Sequence, residues 1–270
     1  MKIALCFSGQ ARSFSSTFHS FQKHVLRPLQ NQYGITKIDI FGHAPKDSDS
    51  SKIPRSIFTE IVLEDESLIV PLIKEHSSDH EIYHHPWHSG GPLRAYWLQL
   101  RSLHKANQIK SEHEKISGSR YDWVFRLRYD NLFYGSNIER LSSLDANCLY
   151  VPVHDNWHGL NDRFGFGSSV VMDKYCERIK LLDSNLEARK SLHPERFLAE
   201  CMNREGIAVQ RTRICHHLLR HNQLWVAVFR EWSGDLPAIE RSLSWYALKG
   251  LSLLPLNCGK ILYAKTKEYI

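Results

Sequence analysis

One segment limits the possible folds of this chain more than any other, the run Tyr121 to Phe133 (YDWVFRLRYDNLF). Its apolar content predicts a buried strand, and side chains along a strand alternate between two faces. Arg126, Arg128 and Asp130 therefore share one face. Ionic groups on an apolar strand are costly to bury unless they are paired or face a solvated cleft. The segment predicts a strand that delivers three ionic residues to a functional site, and an internal Arg–Asp network without a ligand is the alternative.

The rest of the chain alternates between strand and helix patterns. Apolar runs predict strands at 2–7, 37–41, 58–63, 123–132, 148–153, 170–171 and 207–210. Helical spacing predicts helices at 13–29, 92–116, 173–183 and 193–205, with turns or loops at 42–52, 84–91 and 154–169. Such alternation predicts an α/β fold with a central, mostly parallel sheet flanked by helices.

Length and composition favour one large domain followed by an extension. The chain has 270 residues, 42% of them hydrophobic and 24% charged, which suits a globular α/β core. We expect a domain at 1–221 and a basic, aromatic C-terminal segment at 222–270, which packs on that domain or touches a membrane surface. The net charge of +6 favours anionic partners such as nucleotide diphosphates, nucleic acid or an anionic membrane.

Compartment follows from the cysteines and the apolar runs. Six widely spaced cysteines, with no CxxC pair, favour a reduced intracellular protein without a zinc finger. No apolar run approaches the roughly 18 residues of a membrane span. We therefore expect a cytoplasmic protein, with peripheral contact to the inner face of the membrane as an open alternative.

The turn after the first predicted strand is a candidate ligand-binding loop. It contains Ser8, Gly9, Gln10 and Arg12. Its backbone N–H groups, the Gln10 amide and the Arg12 guanidinium are suited to a base, a ribose or phosphates. An ordinary βα turn is the alternative interpretation.

Two carboxylates further along the chain are candidates for chemistry. Asp162 lies in a segment with two glycines, where close backbone approach to a sugar is one explanation and an Asx-turn is another. Glu195 falls in the first turn of a predicted helix, where the helix dipole stabilises a carboxylate and where simple capping is the alternative. His216 and His217 follow the last predicted strand, where a surface position is the favoured interpretation and a metal-ligand role is the alternative.

Four segments in order resemble the GT-A class of glycosyltransferases, in particular bacterial enzymes of lipopolysaccharide and capsule assembly. They are KIALCFSGQAR, YDWVFRLRYDNLF, LNDRFGFGSSVVMDKY and HPERFLAECMNREGIAV, and the resemblance covers roughly residues 1 to 220. It implies a GT-A-like, Rossmann-like fold that transfers a sugar from a nucleoside diphosphate donor to a glycan or lipid-linked acceptor. It also implies that Glu195 is the general base, with Asp162 in reserve.

The resemblance includes one departure that concerns metal binding. GT-A enzymes usually hold a divalent metal on an Asp-x-Asp, but here Arg128-Tyr129-Asp130 stands in that place. Either Asp130 holds Mn²⁺ or Mg²⁺ with phosphate oxygens, or Arg126 and Arg128 neutralise the departing diphosphate directly. Both interpretations stay open at this point.

The alternative from another class is a noncatalytic module that binds nucleic acid or an anionic glycan. The basic residues are not concentrated in a stripe and no nucleic-acid motif is present, so we expect no nucleic-acid partner. The phosphate loop GxxxxGK[ST] of many nucleotide-dependent transferases is also absent from the sequence.

Overall fold

A computed structural model describes seven stretches of the chain. They are residues 1–34, 38–65, 67, 81–82, 93–135, 138–182 and 191–219. The chain divides into two compact units, Met1–His217 and Leu218–Ile270. The predicted segment 222–270 and the predicted loop 84–91 lie outside the described residues.

The described strands form one large sheet and two small ones. They are β1 (Ile3–Ser8), β2 (Asp39–Pro45), β3 (Glu60–Glu64), β4 (Glu81–Ile82), β5 (Trp123–Arg128), β6 (Asn131–Gly135), β7 (Leu149–Pro152), β8 (Gly165–Gly167), β9 (Ser191–Leu192), β10 (Val209–Thr212) and β11 (Cys215–Leu218). The large sheet has the order β10-β7-β8-β5-β1-β2-β3, and β4 pairs with β9 and β6 with β11. Among the described strands of the large sheet, only β8 is antiparallel to its neighbours. The predicted mixed α/β class with a mostly parallel sheet is confirmed.

Helices flank this sheet. They are α1 (Phe14–Phe21), α2 (Arg27–Tyr33), α3 (Leu93–Ser117), α4 (Ser169–Glu177) and α5 (Pro194–Arg204). A π-helical stretch, Gln22–Leu26, joins α1 to α2, and a 3₁₀ turn, Arg178–Leu181, follows α4. The first helical region runs beyond its predicted end at 29. Pro28 does not stop it, because Pro28 lies in the first turn of α2, where a missing N–H costs little.

Two apolar layers cover opposite faces of the sheet. The layer on one face contains Phe125 and Leu127 together with Phe14 of α1. The layer on the other face contains Val124 together with Leu100 of α3. The predicted alternation along β5 is therefore confirmed, and it places Arg126 and Arg128 on the face that α3 covers.

Four local predictions were wrong. β5 ends at Arg128 rather than at 132, because Tyr129 and Asp130 form a tight turn and β6 then enters a separate small sheet. The strand predicted at 170–171 is the first turn of α4, whose N-cap, Ser168, accepts a hydrogen bond from the backbone of Val171. The predicted loop 154–169 contains β8, and β2 runs on to Pro45 through the predicted turn.

Candidate active site

Three central strands end together at one edge of the sheet. In the register of the sheet, Ser8 at the end of β1 lies opposite His43 of β2 and Arg128 of β5. In open α/β sheets this carboxyl edge is where ligands bind. Gly9, the next residue, has a φ of 106°, a conformation that favours glycine, and its N–H donates to Ser102 Oγ at 2.8 Å. The predicted loop residues therefore begin at the expected edge.

Helix α3 braces this edge through the turn that contains Arg101 and Ser102. Ser102 Oγ donates to the backbone carbonyl of His43 at 3.1 Å, and Arg101 forms an ion pair with Glu64 at the end of β3. Burial, with the Arg101 charge adding to it, lowers the pKa of His43 to about 3, so this imidazole is neutral at physiological pH. These contacts hold the ends of β1, β2 and β3 in register beneath the loop.

Arg128 and Asp130 form a two-pronged ion pair beyond the end of β5. Arg128 Nε and Nη2 donate to Asp130 Oδ1 and Oδ2 at 2.7 and 2.9 Å. Arg128 Nη1 donates to Gln99 Oε1 at 2.9 Å, and Gln99 Nε2 donates to Asp162 Oδ2 at 2.8 Å. Arg12 Nε lies 3.8 Å from Asp130 Oδ2. One network thus joins the first loop, the end of β5 and Asp162.

The donor set at Asp130 does not fit a divalent cation in this arrangement. Both of its carboxylate oxygens face guanidinium groups, so a cation there would have to displace Arg128 and would be repelled by Arg12. Among the described residues, no three His, Cys, Asp or Glu side chains are grouped to hold a metal ion. The arrangement suits an anion that meets arginine better than a cation that meets aspartate.

Arg126 lies two positions before Arg128 on the same face of β5. Its side chain is fully buried, and its three nitrogens have no hydrogen-bond partner among the described residues. Burial lowers its pKa, and the neighbouring Arg128 and Arg178 charges lower it further, while Asp162 opposes them. The internal Arg–Asp network predicted as an alternative therefore includes Arg128 but, within the described part of the chain, not Arg126.

Asp162 and Glu195 form a carboxyl pair next to these arginines. Glu195 is buried in the first turn of α5, with His193 Nδ1 3.3 Å from its Oε2. Burial, and then the Asp162 charge, raises the pKa of Glu195 to about 8. A carboxyl with a pKa near neutral pH is suited to proton transfer in both directions.

The segment before Asp162 is packed tightly against Glu195. A Cβ on Gly159 would overlap the backbone carbonyl of Glu195 and would lie 2.5 Å from the backbone nitrogen of Arg196. Leu160 N–H donates to the same Glu195 carbonyl at 2.9 Å. Asp155, Trp157 and His158, just upstream, have positive φ values. Strained backbone of this kind clusters at functional sites, and here the loop 155–159 lies against the first turn of α5.

The remaining candidates are spread around this centre. Gln10 is exposed at the tip of the first loop, and the Ser8 hydroxyl is buried without a hydrogen-bond partner in the described part of the chain. His216, expected at the surface, is fully buried against the rings of Phe133 and Phe164. Gly165 and Gly167 lie in β8 itself, so sheet packing explains them without a sugar.

Four contacting residues had no clear signal in the sequence. They are Gln99, Ser102, Tyr175 and Arg178. Gln99 and Ser102 occupy polar positions of a long amphipathic helix, where a solvated face is the usual expectation. Arg178 directly follows α4, where an arginine is usually exposed, and only the packing of α4 on the sheet shows that it is buried. The long helix pattern at 92–116 was the one clue, because a helix of that length passes over the ends of several strands.

The family model described as "Domain of unknown function (DUF7796)" matches residues 1–225. The chain belongs to the DUF7796 family. Among curated proteins, no sequence matches this DUF7796 chain. A solved structure with similarity is the crystal structure of mouse Xyloside xylosyltransferase 1, apo form, with 9% sequence identity, a TM-score of 0.41, and coverage of 78% of this chain and 84% of that one. None of the described helices of this DUF7796 chain has the length and apolar character needed to cross a membrane.

Proposed function

We propose that this DUF7796 protein is a glycosyltransferase that moves a sugar from a nucleoside diphosphate donor to a hydroxyl of a glycan or lipid-linked acceptor. Surface polysaccharide synthesis is the setting that its resemblance implies. One observation carries the proposal: at the carboxyl edge of the sheet, Gln99 joins the Arg128 guanidinium to the Asp162 carboxylate, and Leu160, two residues before Asp162, hydrogen bonds to the backbone of Glu195. Sugar transfer needs both a base for the acceptor and positive charge for the leaving diphosphate.

The arginines supply the positive charge in this proposal. Arg12 and Arg128 border the site, and Asp130 and Gln99 hold the Arg128 guanidinium in a fixed orientation. A guanidinium fork donates two parallel hydrogen bonds to phosphate oxygens and needs no reorganisation as charge develops on the leaving group. Of the two interpretations of Arg128-Tyr129-Asp130, the one in which arginine meets the diphosphate fits this geometry.

Glu195 is the proposed base, and its burial together with the Asp162 charge sets its basicity. The network through Gln99 fixes the Asp162 carboxylate, and the Asp162 charge favours the protonated form of Glu195. A diphosphate bound to the arginines would not displace Asp162 or Glu195. Glu195 could then accept a proton from an acceptor hydroxyl. The inverting or retaining outcome is not part of the proposal.

Nucleotide binding is the first test. We expect one nucleoside diphosphate sugar, and its free nucleoside diphosphate, to raise the melting temperature of the full chain, because saturation at about 100 times Kd stabilises a protein by about 2.7 kcal/mol. A panel of nucleotide sugars in a thermal-shift assay makes the measurement. If no member of the panel stabilises the protein, the glycosyltransferase proposal fails.

A second test separates arginine from metal. With the stabilising nucleotide, we expect similar shifts in EDTA and in Mn²⁺, and we expect Asp130→Asn to change binding about equally in both, because the substitution acts on the Arg128 guanidinium and not on a metal ion. The Asp49→Asn variant, which removes an exposed ion pair with Lys52, is the matched control. A shift that appears only with Mn²⁺ and vanishes in Asp130→Asn would assign Asp130 to a metal instead.

A further inference from the structure

Two buried guanidinium groups below the site edge have no carboxylate partner among the described residues. The Arg126 side chain forms no hydrogen bond with any of them. Arg178 is 1% exposed; its Nη1 donates to the backbone carbonyl of Tyr175 at 2.7 Å, whereas Nε and Nη2 have no hydrogen-bond partner in the described part of the chain. Burial lowers the pKa of Arg126, whereas for Arg178 the neighbouring Tyr175 and Tyr96 outweigh the effect of burial and raise the pKa. A buried charge without a counter-charge carries a large free-energy cost, so the Arg126 guanidinium is the group that calls for an anion.

The surroundings fix both groups in place. The Arg178 guanidinium lies 4.3 Å from the centroid of the Tyr175 ring, and the Tyr175 hydroxyl donates to the backbone carbonyl of Asp162 at 3.2 Å. Helix α4, which ends just before Arg178, packs against β5, which contains Arg126, and the Arg178 charge opposes the charge of Arg126. Asp162 offsets part of that repulsion, but its carboxylate already accepts a hydrogen bond from Gln99. The Arg126 guanidinium therefore has no hydrogen-bonded counter-charge among the described residues.

A series of arginines leads from the surface to this pair. The side-chain exposure falls from 35% at Arg12 to 11% at Arg128, and Arg126 is completely buried. Positive groups in increasingly desolvated surroundings attract an anion more strongly with depth. Planar guanidinium forks match the oxygens of a phosphoryl group.

We propose that Arg126 and Arg178 form an inner anion pocket that takes one phosphoryl group of the ligand. Arg178 thereby becomes a ligand-contacting residue that the sequence pattern did not indicate. The inference deepens the proposed function and rests on its site. Its test measures the binding of an inorganic anion alone, so its failure and the failure of sugar transfer are separate results.

The test compares sodium pyrophosphate with sodium chloride at equal ionic strength. We expect pyrophosphate to raise the melting temperature of the full chain by several degrees more than chloride does. Arg126→Met and Arg178→Met should lose this difference. Arg204→Met, the same change at an exposed position at the end of α5, should keep it.

The melting temperature in chloride alone separates anion binding from a structural role, because the loss of a structural contact would lower it. An apolar side chain is easier to bury than an unpaired charge, so Arg126→Met should melt at or above the wild-type temperature in chloride. If the Met variants do not fold, Arg178→Lys decides together with the wild-type titration: it keeps the charge without the fork, and we expect at least tenfold weaker pyrophosphate binding. Absence of a pyrophosphate-specific shift in the wild type, or its full survival in Arg178→Met or Arg178→Lys, would overturn the proposal.

Discussion

Replacing Glu195 by Gln is expected to lower sugar transfer by about 10²- to 10⁴-fold, the usual contribution of a positioned general base. Nucleotide-sugar binding should remain, because Glu195 belongs to the carboxyl pair and not to the arginine network. Turnover measured at saturating donor, beside a thermal-shift titration of the same variant, checks both parts. Glu200→Gln, a carboxylate further along α5, is the matched control and should retain activity.

The same substitution has a signature in the pH dependence of stability. Glu195 has an ordinary pKa of 4.5 in the unfolded chain and about 8 in the folded protein, where burial and Asp162 favour the protonated form. Between these two pH values the folded protein holds a proton that the unfolded chain releases. The contribution of this carboxyl group to the free energy of unfolding is therefore fully present below about pH 4.5, and it is lost as the pH rises to about 8. We expect Glu195→Gln to remove up to about 1.4 kcal/mol per pH unit of this decline. If the free energy of unfolding has the same dependence on pH in the two proteins from pH 5 to 8, Glu195 does not carry this proton.

Gly159→Ala is expected to produce a large loss of stability for the addition of a single methyl group. The new Cβ would overlap the backbone of Glu195 and Arg196, which no rotamer change can relieve. We expect a loss of about 3 kcal/mol or more in the free energy of unfolding, at the upper end of the cost of overpacking. For a chain of this size that corresponds to roughly 6 to 12 °C in Tm. Chemical denaturation of the variant makes the measurement.

A matched glycine distinguishes this close approach from a general effect of glycine replacement. A Cβ on Gly165 in β8 would meet only ordinary van der Waals distances, the shortest being 3.4 Å to the carbonyl of Tyr150. Gly165→Ala should therefore cost less than about 1 kcal/mol. If Gly159→Ala costs as little free energy of unfolding as Gly165→Ala, the segment 155–159 can move away from α5. It would then not support Glu195 rigidly.

The sequence was informative where chemistry depends on a local period. Alternation along β5 placed Arg126 and Arg128 on one face, and a Pro at 194 with Glu195 next to it marked the start of α5. Both patterns involve residues within a few positions of each other. One strand or one helix start determines each of these two features, and the confirmed α/β class follows from the alternation of such elements along the chain.

Other parts of the site depend on contacts between distant residues. Gln99 joins Arg128 to Asp162 across gaps of 29 and 63 positions, and no local pattern records this. Three residues are also too few for β8 to show a period, and its antiparallel position depends on pairing with β5 and β7. The raised pKa of Glu195 likewise depends first on burial by the surrounding fold and then on the charge of Asp162 from a separate segment. Long-range pairing, rather than residue type, decided these features.

The most direct test of the proposed activity is release of nucleoside diphosphate from the stabilising nucleotide sugar, with a panel of saccharide acceptors and EDTA present. We predict that wild-type protein releases the diphosphate and glycosylates an acceptor in equal amounts, and that Glu195→Gln binds the donor but releases about 10²-fold less or lower still. If the wild type binds the donor but releases no more nucleoside diphosphate than Glu195→Gln does, the result would contradict the proposed activity and indicate a noncatalytic binding module.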